Sequence, residues 1–319
     1  MEEGTNMLEA LILSLSLSDQ SYFGREDLRD HFISLLKKMP DQHVAVILGT
    51  PGIWDMNKYP EMPLYIAYKW TEGPDITPVS PPDDGFIVCS SVLNDGIRIL
   101  PLIDNSHKMP LADVPPVTPP PPGTDMNTVT TGYDGLWNRF SARDMGWAGE
   151  ELAMAVVCGP VISNVRTIKL VNRHPVKTAQ VPDQTIKGPD YYHVKSKRSP
   201  QIPASPGIAF AETGNMKIVP GEPGMLHGSY CVPDTRGKDI IIHLLFSRPS
   251  HPGLSCFTVS IPYASSKCTD SMCRGYFLFD VMNTMYWKRG ERFDVPETMF
   301  VSGVYKNIFS NPVLLKLVK

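Results

Sequence analysis

Hydrophobic and polar residues follow two different periods along this chain. From Arg25 to Met39 the apolar residues Leu28, Phe32, Leu35, Leu36 and Met39 recur at helical spacing, which predicts an amphipathic helix stopped by Pro40. The apolar run Leu8 to Leu17 predicts another helix ahead of it. Beyond Pro40 the period shortens. Val44 to Leu48 reads as a buried strand ended by Gly49, and Leu64, Ile66, Tyr68 and Trp70 alternate with Tyr65, Ala67 and Lys69 as a second strand. Phe86 to Leu93 and Ile97 to Ile103 flank Asn94, Asp95 and Gly96, a connection that suits an antiparallel hairpin and argues against a doubly wound parallel sheet.

Ser141 to Val157 predicts a helix, with Ser141 and Asp144 at its first turn, Leu152, Ala155 and Val156 towards one face, and Gly159 and Pro160 ending it. Eight strand segments follow, at 161–171, 208–211, 216–219, 239–247, 255–263, 275–281, 298–305 and 313–318. Phe257, Val259, Ile261 and Tyr263 alternate against Cys256, Thr258, Ser260 and Pro262. Ile240 to Phe246 is apolar on both faces except at His243, the pattern of a central strand. No internal repeat is read. The expected fold is mainly β: a minor α+β N-terminal part over 1–109, then a helix followed by an antiparallel β-sandwich or jelly-roll-like domain over 124–319.

Proline strengthens this picture. The chain holds 31 prolines against 24 glycines, and interior proline breaks helices at about 3 kcal/mol each, which disfavours a helical bundle. Pro115, Pro116 and the run Pro119 to Pro122 predict an extended polyproline II segment over 110–123. It is read as a linker or strap between domains or subunits, in preference to a docking ligand for an aromatic groove.

Charge divides the chain. Residues 1–100 carry 7 Lys/Arg against 15 Asp/Glu, a net of -8, whereas residues 151–319 carry 20 against 12, a net of +8. Such polarity suits contact with identical neighbours or with a polyanion. The densest basic stretch, Arg166 to Arg198, holds eight Lys/Arg against Asp183 and Asp190, and its prolines predict that most of it is loop. Tyr191, Tyr192 and His193 precede Lys195, Lys197 and Arg198 there, so stacking and cationic groups for a nucleic acid lie side by side. Lys195, Lys197 and Arg198 are the candidate contact residues, for a polyanion or for another subunit.

No pattern of residues carries recognisable chemistry. His227, Cys231, Cys268 and Cys273 share one region, but only Cys268 and Cys273 have a ligand-pair spacing, so no zinc site is expected. The six cysteines lack the density of a secreted disulfide scaffold and no Asn-x-Ser/Thr site occurs, which favours reduced thiols. There is no G-x-S-x-G elbow, P-loop, HExxH, EF-hand loop or G-x-G-x-x-G. Glu2 and Glu3 stand where a signal peptide is cationic, and Leu152 to Ile162 is too short to span a bilayer, so no membrane is expected. These readings lead to a non-catalytic subunit of a multi-copy shell, of viral capsid or outer-layer type, located in cytoplasm or virion, with no cofactor and with copies of itself and other shell proteins as partners. A nucleic-acid-binding accessory protein using 166–198, and a hydrolase whose residues converge only in the fold, are the alternatives.

Overall fold

The computed structural model describes residues 26–39, 42–55, 61–73, 84–93, 95–102, 130–141, 151–171, 185–186, 195–211, 215–217, 224–248, 251–269, 271–281 and 297–318. The chain divides into two compact units, Met1–Asn94 with Arg98–Ala179, and Asp95–Ile97 with Gln180–Lys319.

The first unit contains helix α1 (Glu26–Lys37) and strands β1 (Ala45–Gly49), β2 (Ile53–Asp55), β3 (Glu61–Glu72), β4 (Gly85–Ser91), β5 (Ile97–Pro101), β6 (Thr130–Ser141), β7 (Glu151–Cys158), β8 (Val161–Ile162) and β9 (Arg166–Val171). They form two sheets, β1-β3-β6 and β2-β9-β7-β4-β5, with β8 pairing β7. Val46, Leu48, Leu64 and Ile66 from the first sheet meet Ile87, Leu152, Met154 and Ile168 from the second in one core. Tyr65, Ala67 and Lys69 take the opposite face of β3, which is also buried, because α1 packs there with Phe32 and Leu36. This is why β3 is apolar on both faces. Lys69 spends its charge on the end of the helical segment, its Nζ donating to Met39 O at 2.8 Å.

The second unit comprises β10 (Thr185–Ile186), β11 (Gly207–Phe210), β12 (Asn215–Lys217), β13 (Met225–Pro233), β14 (Ile240–Arg248), β15 (His251–Ile261), β16 (Lys267–Thr269), β17 (Met272–Asp280), β18 (Glu297–Tyr305), β19 (Ile308–Phe309) and β20 (Val313–Val318). Its sheets run β11-β13-β17-β16 and β10-β15-β14-β18-β20-β12, with β19 pairing β18. Tyr230, Phe246, Phe257, Phe277 and Phe279 dominate the core, with edge-to-face rings such as Phe246 and Phe257 at 5.5 Å.

The two units repeat one scaffold. Strands β1, β2, β3, β4, β5, β6, β7, β8 and β9 correspond in order to β11, β12, β13, β14, β15, β17, β18, β19 and β20. Ala45 faces Lys69 as Gly207 faces Cys231, a constant shift of 162 residues on both strands. The same shift carries Ile53 to Asn215, each the parallel partner of a lysine, Lys169 and Lys316. Glu151 faces Lys169 as Thr298 faces Lys316, a shift of 147. Six residues keep their identity under that shift: Val157, Ser163, Asn164, Lys169, Leu170 and Val171 become Val304, Ser310, Asn311, Lys316, Leu317 and Val318. The hydrogen bonds repeat too. Val156 N–H donates to Ser163 Oγ at 2.9 Å, and Gly303 N–H to Ser310 Oγ at 2.7 Å. With three strands facing a sheet whose centre is the seventh and fourth, and the second strand parallel to the last, each unit has the connectivity of an immunoglobulin-type sandwich.

The mainly β architecture and the C-terminal antiparallel sandwich agree with the sequence expectation, and four expectations need revision. The helix expected over Ser141 to Val157 is replaced where the segment is described: β6 ends at Ser141 and β7 covers 151–158, all but its first residue buried, while 142–150 lie outside the described residues. A strand buried on both faces is a continuous apolar run without period two, so its spacing mimics a helix. The division into units falls near residue 180 and not at 110–123, because β6 and β7 pair with β3 and β4. The N-terminal part is consequently a sandwich with one helix among its described residues. The repeat escaped the sequence reading because its identities cluster in one short stretch. Residues 8–17 and 110–123 lie outside the described residues.

Candidate functional site

Lys195, Lys197 and Arg198 stand on a tight turn, and all three are exposed. Ser196 and Ser199 build it. Ser199 N–H donates to Ser196 O at 3.1 Å, Ser196 N–H to Ser199 Oγ at 2.9 Å, and Arg198 N–H to Ser196 Oγ at 3.1 Å. Serine hydroxyls that satisfy local backbone groups in this way favour turns over helix, and Pro200 and Pro203 exclude helix outright.

Strand β13 anchors the turn. Leu226, Tyr230 and Val232 point into the core, so His227 and Ser229 share the opposite face. His227 Nδ1 lies 2.8 Å from Ser196 Oγ, and Ser229 Oγ donates to Gln201 O at 3.0 Å. Burial, and then the nearby Arg198 charge, lowers the His227 pKa below the ordinary histidine range. The imidazole therefore sits neutral beside a cationic turn.

The repeat explains what this turn replaces. A shift of 162 carries Tyr65, Ala67 and Lys69 to His227, Ser229 and Cys231, and Met39 to Gln201. In the first unit that face is covered by the apolar side of α1, with Met39 O bonded to Lys69. In the second it is covered by the 195–201 turn, with Gln201 O bonded to Ser229. One scaffold position thus holds an amphipathic helix in one copy and three exposed cations in the other.

The basic stretch opens on a strand. Arg166 to Val171 is β9, with Lys169 exposed, while 172–184 and 187–194, including Tyr191, Tyr192 and His193, lie outside the described residues.

The four zinc candidates do not converge. Cys268 and Cys273 face each other across the β16–β17 hairpin and form a disulfide, which revises the expectation of reduced thiols. Asp234 accompanies them, Cys273 Sγ lying 3.5 Å from its Oδ1, but sulfurs held in a disulfide offer no thiolate ligands. Cys231 is buried and His227 anchors the turn. Burial pushes the Cys89 thiol up to about 12, and raises Cys158 as well, so neither is a nucleophile. Ser196 and His227 have the separation of a nucleophile and base. No carboxylate bonds that imidazole among the described residues, and the hydroxyl already accepts from Arg198 N–H.

No protein-family model and no curated protein matches the chain. Among solved structures it is similar to a segment of two fibronectin type-III domains from chicken tenascin, at 13% identity and a TM-score of 0.16, over 81% of this chain and 93% of that one. A bacterial adhesin from Mobiluncus mulieris with intramolecular disulfide, isopeptide and ester cross-links aligns at 6% identity and a TM-score of 0.19, over 86% and 97%. At these scores the fold assignment rests on the strand pairing described above. No helix among the described residues is long and apolar enough to cross a membrane.

Proposed function

We propose that this chain is a non-catalytic structural subunit of a multi-copy protein shell, of viral capsid or outer-layer type, that acts through contacts with copies of itself. The observation that carries this reading is charge divergence on a duplicated scaffold. The first unit holds 14 Lys/Arg against 21 Asp/Glu, a net of -7, and the second 16 against 12, a net of +4. Two sandwiches of one design with opposite charge favour association of unlike units from neighbouring copies, since like units repel. The Lys195, Lys197 and Arg198 turn is the sharpest expression of that divergence. A rigid sandwich with the turn stitched to it suits a building block better than a catalyst.

Three exposed cations on a fixed turn also suit a phosphate backbone, which keeps the nucleic-acid reading as the alternative. Replacing Lys195, Lys197 and Arg198 together by Ala separates the two. The shell reading expects self-association to weaken and RNA binding, assayed apart, to be unaffected. Loss of RNA binding with association intact transfers the turn to the alternative, and no change in either assay removes it from function.

A further inference from the structure

We infer that the sheet edge formed by β12 and β20, which repeats the β2–β9 edge of the first unit, is a contact surface for the first unit of a second copy of this chain; this rests on the shell reading above. Large exposed apolar side chains are few among the described residues: Met39, Ile53, Leu93, Val165 and Leu314. Three of the five lie on or beside these edges. Ile53, 54% exposed, is the direct parallel partner of Lys169. Val165 immediately precedes β9. Leu314, 39% exposed, stands two residues before Lys316, hence on the same face of β20.

The two edges share one pattern. Along β9 and β20 burial runs intermediate, exposed, buried, exposed, buried, intermediate, with the lysine at the second exposed position in both. Leu170 and Leu317 are explained by packing, since both are buried in their cores. An exposed lysine kept through duplication has no such explanation, and each one sits beside an aliphatic side chain. The edge strands β2 and β12 are only three residues long, so strand addition has little to pair with, and side chains would carry the contact.

Aliphatic groups flanking a lysine match a protein surface with carboxylates at its rim. A nucleic acid would call for aromatic or clustered cationic neighbours. The β12–β20 edge belongs to the net +4 unit, and the carboxylate-rich partner on hand is the first unit of another copy, net -7, which commits the occupant to a second chain.

Sedimentation velocity on the full chain tests this, with folding checked by circular dichroism. Wild type should associate, and Lys316→Glu should weaken that by at least about tenfold. Lys316→Arg should retain it, and Leu314→Asp should lose it. Folded charge-reversal and Asp variants that associate like wild type overturn this surface while leaving the shell reading standing. A wild type that never associates removes both.

Discussion

The side-chain amide of Asn164 clasps both backbone groups of Leu48: Oδ1 accepts Leu48 N–H at 2.8 Å and Nδ2 donates to Leu48 O at 2.9 Å. Leu48 lies on β1 and Asn164 just beyond β8, so the clasp joins the two sheets of the first unit where no ladder can. Leu48 is buried, so losing the amide strands two backbone groups away from water. Asn164→Ala should cost roughly 2–3 kcal/mol in chemical denaturation of that unit. The matching Asn311 is as exposed as Asn164 but its side-chain amide makes no such clasp among the described residues, so Asn311→Ala should cost under about 1 kcal/mol.

Glycines opposite aromatic rings hold the β13–β17 pair together. Gly228 faces Phe277 and Tyr230 faces Gly275, so each ring lies over a bare Cα on the other strand. A Cβ on Gly228 would stand 2.1 Å from Phe277 Cζ, and one on Gly275 would stand 2.4 Å from Tyr230 Oη. Gly228→Ala and Gly275→Ala should each destabilise by about 1–3 kcal/mol, as overpacking does, read as a lower denaturation midpoint.

Lys306 occupies the place of Gly159 in the repeat, and the two share a left-handed backbone at φ 52° and 50°. The scaffold demands that conformation at the β18–β19 turn whatever the residue, and a side chain there costs about 1–2 kcal/mol. Lys306 recovers part of this by lying 5.3 Å over the Tyr305 ring. Lys306→Gly should therefore stabilise the second unit, by up to about 1 kcal/mol, whereas Gly159→Ala should destabilise the first by at least as much, both measured by thermal unfolding.

His243 is buried and neutral. Its Nε2 donates to Asp95 O at 2.9 Å and its Nδ1 lies 3.1 Å from Thr258 Oγ1, while burial lowers its pKa from 6.5 to about 4. Because the folded pKa is depressed, its contribution to stability is complete above the unfolded value and is lost as pH falls from about 6.5 towards 4. Wild type should lose roughly 3 kcal/mol across that window relative to His243→Gln, whose pH profile should be flatter.

Much of the β architecture was legible because half-buried strands print period two, as Phe257 to Tyr263 did, and because His243 alone interrupts the apolar β14. Strands buried on both faces erased that print. β7 carries the spacing of a helix for this reason. β13, central to its sheet, is masked in the sequence because His227, Gly228, Ser229 and Cys231 interrupt its apolar residues, and two of them resemble metal ligands. The cations Lys195, Lys197 and Arg198 were visible as composition. Their anchoring by His227 and Ser229 was not, since the pairing spans about 30 residues and depends on which face of β13 turns outward. The period-two spacing of those two residues was the one signal that would have found it.

Arg198 and His227 supply a spectroscopic readout of the turn. Removing the Arg198 charge in Arg198→Ala should raise the His227 pKa, measured by NMR titration of its ring proton, because one of the two causes of its depression disappears. An acidic partner bound at the turn should move it the same way.

The central claim, that the chain works as one of many copies through opposite charge on duplicated sandwiches, is tested most directly by light scattering of the purified full chain, with negative-stain microscopy of the same samples. Mass should rise with concentration at low salt and fall back as salt screens the contact over a Debye length of about 10 Å at 0.1 M. A chain that stays monomeric at high concentration and low salt, alone and with companion shell proteins, would contradict it.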